Sequence, residues 1–437
     1  MTLCFRRLLL VLVSAALIAL LPSCAGTQEA TDGTRDNGSN ERETGLNLAP
    51  ESETAKTIQL YRGENEAALP IIELQSADAL TLAFDILDED AGPLTVYFYH
   101  ADRSWERDFS STRFLSGFQS DALIDYTPSQ GTEVGYTHYR YRFPNNDIQF
   151  KASGNYILRV TRQGREDEVL FERPFFVTED AGALDLGIEG LIVTGQRQPS
   201  DRPIARFAPS STLGTNRYDY GVCFVRNGDF TTTRCADRSR ISPQDGYAFE
   251  LSRDRAFAPT PPARALDLSQ LRISAQVERV DRSTSPFELL LQPDVARFPG
   301  TPFPDPLFGQ IIVSDATTAL ARPNVAAEYV RTTFAFVPPG ESPVDGEVVV
   351  GGSFSGGRVN PRYRMTWVDS ERRYEGDVLL KQGRYEYFYA TTNPELRATL
   401  AQNVPPTTDR YLALVYYRDV SLNSDRLVKV GSVQGVR

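Results

Sequence analysis

Only two histidines, His100 and His138, are available for acid–base work or metal binding in this chain of 437 residues. No HExxH occurs and no histidine or cysteine pair has ligand spacing, so zinc chemistry has no support. Both histidines are expected to face outward from β-strands in structural roles. The nearest approach to a serine-hydrolase elbow is GGSFSGG at 351–357, which is not GxSxG and lies far along the chain from either histidine. The stretch DILDEDAG brings Asp85, Asp88, Glu89 and Asp90 together but lacks the DxDxDG order of a calcium loop, so it reads as a solvated acidic hairpin. Among 57 acidic residues no pair is singled out for glycoside cleavage, whose geometry is tertiary. The expectation is a protein that is not an enzyme, with no cofactor and no metal.

Cysteine carries more information. Arg6 and Arg7 precede the apolar run Leu8 to Leu21, too short for a bilayer span of about 20 residues but suited to the core of a signal peptide. The run ends in LPSC, Leu21 to Cys24, which resembles the box cut by lipoprotein signal peptidase. Residues 1–23 are therefore expected to be removed and Cys24 to be acylated, giving an outer-membrane lipoprotein that faces the periplasm. Residues 24–55 hold almost nothing to bury and read as a flexible, disordered tether, with a reach of ~30 Å by random-coil scaling. Loss of Arg6 and Arg7 moves the formal charge from -11 to -13. An acidic surface argues against nucleic acid and anionic lipid as partners, leaving the lipid anchor as the contact with the membrane. Cys223 and Cys235 remain, in a compartment that permits a disulfide. A tight turn at Asn227 and Gly228 would place Cys223 opposite Thr232, whereas a wider loop centred near Asp229 would bring the two thiols together, and both readings stay open.

The elements that must carry these residues are strands. Short alternating segments such as LTLAFDIL, LTVYFYH, YTHYRYRF, EVVVGGSF, YEYFYA and YLALVYYRDV are punctuated by 28 prolines and 31 glycines. The chain is therefore all-β, in tandem immunoglobulin-like β-sandwiches. In residues 137–143, Thr137, Tyr139, Tyr141 and Phe143 share one face, with His138, Arg140 and Arg142 on the other. Tyr156, two residues after Gly154, resembles the tyrosine corner of such sandwiches; Gly383 with Tyr385 repeats the pattern, and Tyr411 does so more weakly. Composition suggests domains at 56–180, 181–336 and 337–437. Within the middle one, the loop RFPGTPFPDPLF offers Arg297, Phe298, Phe303 and Phe308 as a partner contact, since prolines lower the ordering cost and phenylalanines supply anchors.

Residues 347–390 resemble the early-set immunoglobulin-like domains that accompany starch-active enzymes, although the loop SFSGGRVN lacks their stacking tryptophan. A glycan-binding or glycan-processing outer-membrane lipoprotein is the alternative this implies. A longer resemblance runs from about residue 57 to 432, and is best over 57–178. In order, IQLYRGENEAALPIIELQSADALTLAFDIL, YFYHADRSW, FLSGFQSDALIDY, YTHYRYRFPNNDIQFKASGNYILRV, VRNGDF, LDLSQLRI, YRMTW, YEGDVLLKQGRYEYFY and LALVYYRDVSLNSDRLVKVG resemble the plug protein family of the type IX secretion system. What the resemblance implies is a non-enzymatic protein that binds the periplasmic end of the outer-membrane translocon barrel and closes it when no cargo is passing.

Overall fold

Strand Leu80–Ile86 is buried at every position. Leu80, Leu82, Phe84 and Ile86 point into an apolar core, as alternation requires, while Thr81, Ala83 and Asp85 on the opposite face are covered as well. A strand covered on both faces has protein beyond its own sandwich, and that fact organises the molecule. The structure is a computed structural model describing residues 45–436, apart from 89–90, 109, 194–198, 237–238, 243–245, 261–262, 317–321 and 403–407. It is an all-β protein of paired sheets.

The first sandwich pairs a sheet of Ala55–Arg62, Leu80–Ile86, Thr137–Phe143 and Tyr126–Pro128 with one of Ile71–Glu73, Arg165–Thr178, Gly154–Arg162, Leu94–Ala101 and Ser120–Leu123. Between them Phe84, Phe98, Phe143, Phe171 and Phe175 pack with Tyr139 and Tyr156, each buried aromatic contributing roughly 1.5–3 kcal/mol. The Tyr156 hydroxyl donates to the Ala152 carbonyl at 2.7 Å, so the corner closes on backbone four residues upstream. Gly154 sits at φ 150°, and a Cβ there would run into the His100 ring. Tyr385 makes the same bond to the Lys381 carbonyl at 2.7 Å, whereas Tyr411 donates to the Asp201 side chain instead.

The second sandwich opposes Gly182–Leu191, Ser200–Pro209, Gly246–Glu250 and Ser239–Ser242 to Arg234–Ala236, Tyr220–Arg226, Thr408–Asp419 and Ser424–Val436. Two of its strands therefore come from the chain's last thirty residues. The third sandwich lies between them in sequence. Its sheets contain Arg264–Asp267, Ile312–Val313, Val348–Gly352 and Gly383–Thr391 on one side, and Val277–Asp281, Glu288–Leu291, Tyr329–Val337, Thr366–Val368 and Arg373–Lys381 on the other. Pairing thus crosses the expected boundary between residues 336 and 337: Tyr329–Val337 lies beside Arg373–Lys381, and Tyr220–Arg226 beside Thr408–Asp419. Strands choose partners by tertiary fit, which a linear division by proline content does not register. The insertion's ends are close, with the Phe257 and Tyr411 rings 5.2 Å apart.

The expected tether is also shorter than 24–55. Leu46 and Leu48 pack against the core between the first two sandwiches, the Ala49 amide donates to Glu172 at 2.8 Å, and Glu51 pairs with Arg173 at 2.8 Å. Two leucines at alternate positions and a matched arginine suffice to dock a stretch that reads as polar. Cys24 and residues 25–44 lie outside the described residues.

Candidate functional site: the junctions between sandwiches

At the first junction, strand alternation leaves apolar side chains on the outside of a sheet. Ala101, Trp105, Ile157 and Phe176 of the first sandwich meet Cys223, Val225, Phe230, Leu412, Leu414, Tyr416 and Leu427 of the second in one buried cluster. Phe176 stands 4.8 Å from the Phe230 ring, and the Tyr416 hydroxyl donates to Asn155 Oδ1 at 2.7 Å. Cys223 and Cys235 face each other in register and form a disulfide, because the loop between them is the wide one, turned through Asn227, Gly228 and the 3-10 turn Phe230–Thr232.

His100 lies at this junction's rim and is buried rather than outward-facing. Its Nδ1 is 2.5 Å from the Asp108 carboxylate, its Nε2 is 3.2 Å from the Ser153 carbonyl, and its ring stacks on Phe114 at 3.9 Å. Asp108 also accepts from the Ser424 hydroxyl at 3.2 Å. Aspartate, histidine and serine gather here, but Nε2 faces a carbonyl oxygen. Asp108 thereby links His100 of the first sandwich to Ser424 of the second.

At the second junction Asp85 is the centre. Its carboxylate accepts from Lys381 Nζ, the Tyr329 hydroxyl and His138 Nδ1, each at 2.7 Å. Lys381 also donates to the Asn324 carbonyl at 2.6 Å and sits 4.2 Å from the centre of the Tyr136 ring. Asp85 and His138 belong to the first sandwich, Lys381 and Tyr329 to the third. His138 points away from its own core as the alternation requires, yet the third sandwich covers it. Burial disfavours both charges. For Asp85 that cost is outweighed by Lys381 and His138, which hold its carboxyl below the usual range, whereas burial draws the Lys381 amine below the usual lysine value. Asp85 is thus no part of a solvated acidic hairpin. Among the described residues no group of three or more His, Cys, Asp or Glu gathers as a metal site.

The proline-rich loop joins the second and third sandwiches. The Leu307 and Gly309 amides donate to the buried Glu386 carboxylate at 2.8 and 3.0 Å, and burial raises that carboxyl's pKa. The Arg410 guanidinium stacks over Phe308 at 3.7 Å, and Arg384 over Phe303 at 4.2 Å. Phe303 is 9% exposed and Phe308 is half-buried, so neither is free to anchor a partner. Arg297 is exposed and Phe298 is 68% exposed. Sequence reading brought forward these four and the cysteines, but missed Lys381, Tyr329, Glu386 and Arg410. One signal was present for Lys381, as one of only four lysines among 46 basic residues. A further set of apolar side chains, Phe118, Ile124 and Tyr126, is exposed along one edge of the first sandwich.

Fold and junctions together define a β protein of three immunoglobulin-like sandwiches bound to one another through buried contacts. Residues 55–179, the first sandwich, match the family model described as type 9 secretion system plug protein, 1st domain. The resemblance to plug proteins of that system is thereby shown for this segment. No curated protein matches the chain. A solved structure, described as a hypothetical protein from Parabacteroides merdae ATCC 43184, is similar with a TM-score of 0.75 at 22% identity, over 89% of this chain and 99% of that one. At that identity the likeness is one of fold, shared along most of the chain.

Proposed function

We propose that this protein is a non-enzymatic plug that binds the periplasmic end of the type IX outer-membrane translocon and closes it. The observation that carries the reading is the match of the first sandwich, residues 55–179, to the plug protein domain. The architecture supports it physically. A seal must present a broad face, and the first and second sandwiches joined through a buried apolar cluster, with a proline-rich strap holding the third against the second, supply one. Side chains left outside that framework, Phe298 with Arg297 on the strap and Phe118 with Ile124 on the first sandwich's edge, are the apolar anchors offered to the barrel. Acylated Cys24 would keep the plug at the membrane in which the barrel sits.

The test is deletion of the gene, with outer-membrane permeability to a large hydrophilic antibiotic measured in strains with and without the translocon barrel. Leakage that appears on deletion and disappears when the barrel is also removed is the expected result. Unchanged permeability, together with failure of the barrel to co-purify, would refute the seal and favour the glycan-binding alternative.

A further inference from the structure

The sandwiches are not joined alike. The first and second share one buried apolar cluster. The buried apolar clusters of the first and third, by contrast, stay separate among the described residues. What crosses between those two is mainly polar, with one aromatic contact, the Tyr136 ring edge-on to Tyr329 at 5.2 Å. Besides the Asp85 group, the Gln59 side chain donates to the Ile311 carbonyl at 2.9 Å, the Val313 amide to the Glu66 carboxylate at 2.8 Å, and the Gln130 amide to the Val325 carbonyl at 2.8 Å. Thr57 meets the Tyr329 hydroxyl at 2.7 Å. Towards the second sandwich, the third is held by the strap and bordered by two clefts of about 310 and 700 Å³, whose walls come from both.

We propose that the third sandwich is a latched module that swings away from the first while the first and second stay joined. Separating the apolar junction would expose hydrocarbon to water without compensation. Separating the polar one replaces each hydrogen bond by one to water, and returns to Asp85 and Lys381 the hydration that burial removed. The attraction lost and the hydration regained oppose each other, so the latch is nearly balanced, unlike the apolar junction. This follows from the junctions alone and does not rest on the plug reading.

Among the backbone amides that cross the latch, hydrogen exchange of the intact protein reads Gln130 and Val313. They are expected to exchange at least about 10-fold faster than the Glu179 amide, which crosses the apolar junction to the Leu427 carbonyl at 2.9 Å, because local opening is cheaper at the latch than global unfolding. Asp85→Asn should speed Gln130 and Val313 about another 10-fold and leave Glu179 unchanged. Exchange of all three amides in step in the native protein, or no acceleration in the variant, overturns the proposal. If Asp85→Asn fails to fold, Gln59→Ala decides, since it cuts a latch contact without touching the buried pair. Faster exchange at Gln130 and Val313 then supports the swing, and unchanged exchange refutes it.

Discussion

Asp85 lies on the outer face of its strand, yet it is 1% exposed. Three donors compensate its burial, and the carboxyl is held below the usual aspartate range although burial alone would raise it. The sign of its pH dependence follows. A depressed folded pKa means that its stabilisation is complete above the unfolded value of about 3.9 and is lost as pH falls through the lower folded value. The difference in unfolding free energy between the native protein and Asp85→Asn should therefore be level from pH 7 to about pH 5 and shrink only below about pH 4. Urea melts of both proteins across that range check this; a difference that disappears already near pH 6 would assign the effect to another group. At the same scale, Arg410 shows how an arginine is held without an acceptor for every donor. Its Nε and Nη2 are buried and have no hydrogen-bond partner, and the face of Phe308 lies against the guanidinium instead.

At the scale of elements, strand positions and faces were legible because alternation is local. Leu80–Ile86, Thr137–Phe143 and the corners at Tyr156 and Tyr385 all follow from spacing that any single strand displays. What lay beyond reach was which faces meet other modules. His138 and Asp85 fall on the outer face of their sheet in either reading, and only the third sandwich, whose first strand begins at Arg264, makes that face an interior. The strap misled for the same reason: Phe303 and Phe308 look like free anchors until Arg384 and Arg410 are known to stand beside them. The nesting of the third sandwich yields its own prediction. Because its core is separate and the insertion's ends meet at Phe257 and Tyr411, replacing residues 264–402 by a short Gly-Ser linker should leave a soluble two-sandwich protein that melts cooperatively. Circular dichroism and the mass of the Cys223–Cys235 cross-linked peptide measure the outcome. Loss of either would show that the third sandwich is needed for the second to close.

For the whole molecule the question is where the body is held. The described chain begins docked at the first junction, through Leu46 and Leu48, so any free tether is confined to residues before 45. Acylation at Cys24 is expected to give stable membrane attachment, since each buried CH₂ contributes ~0.8 kcal/mol. Cys24→Ser should abolish lipid labelling and move the protein to the soluble fraction; labelling and retention that survive the change would reject the lipobox reading. No helix among the described residues is long and apolar enough to cross a membrane.

The nesting also sets an order of completion during synthesis. As the chain emerges from its N-terminus, the first sandwich has all its strands by Thr178 and the third by Thr391, but the second waits for Thr408–Asp419 and Ser424–Val436. Until those arrive, Tyr220–Arg226 has an open edge, and Ile157 and Phe176 lack the cover of Leu412, Leu414 and Tyr416. An unfinished product therefore displays both an unpaired strand and a greasy face to chaperones and proteases, signs that the finished protein hides. The strands Thr408–Asp419 and Ser424–Val436 act as the closing stitch of the second sandwich and of the face it shares with the first.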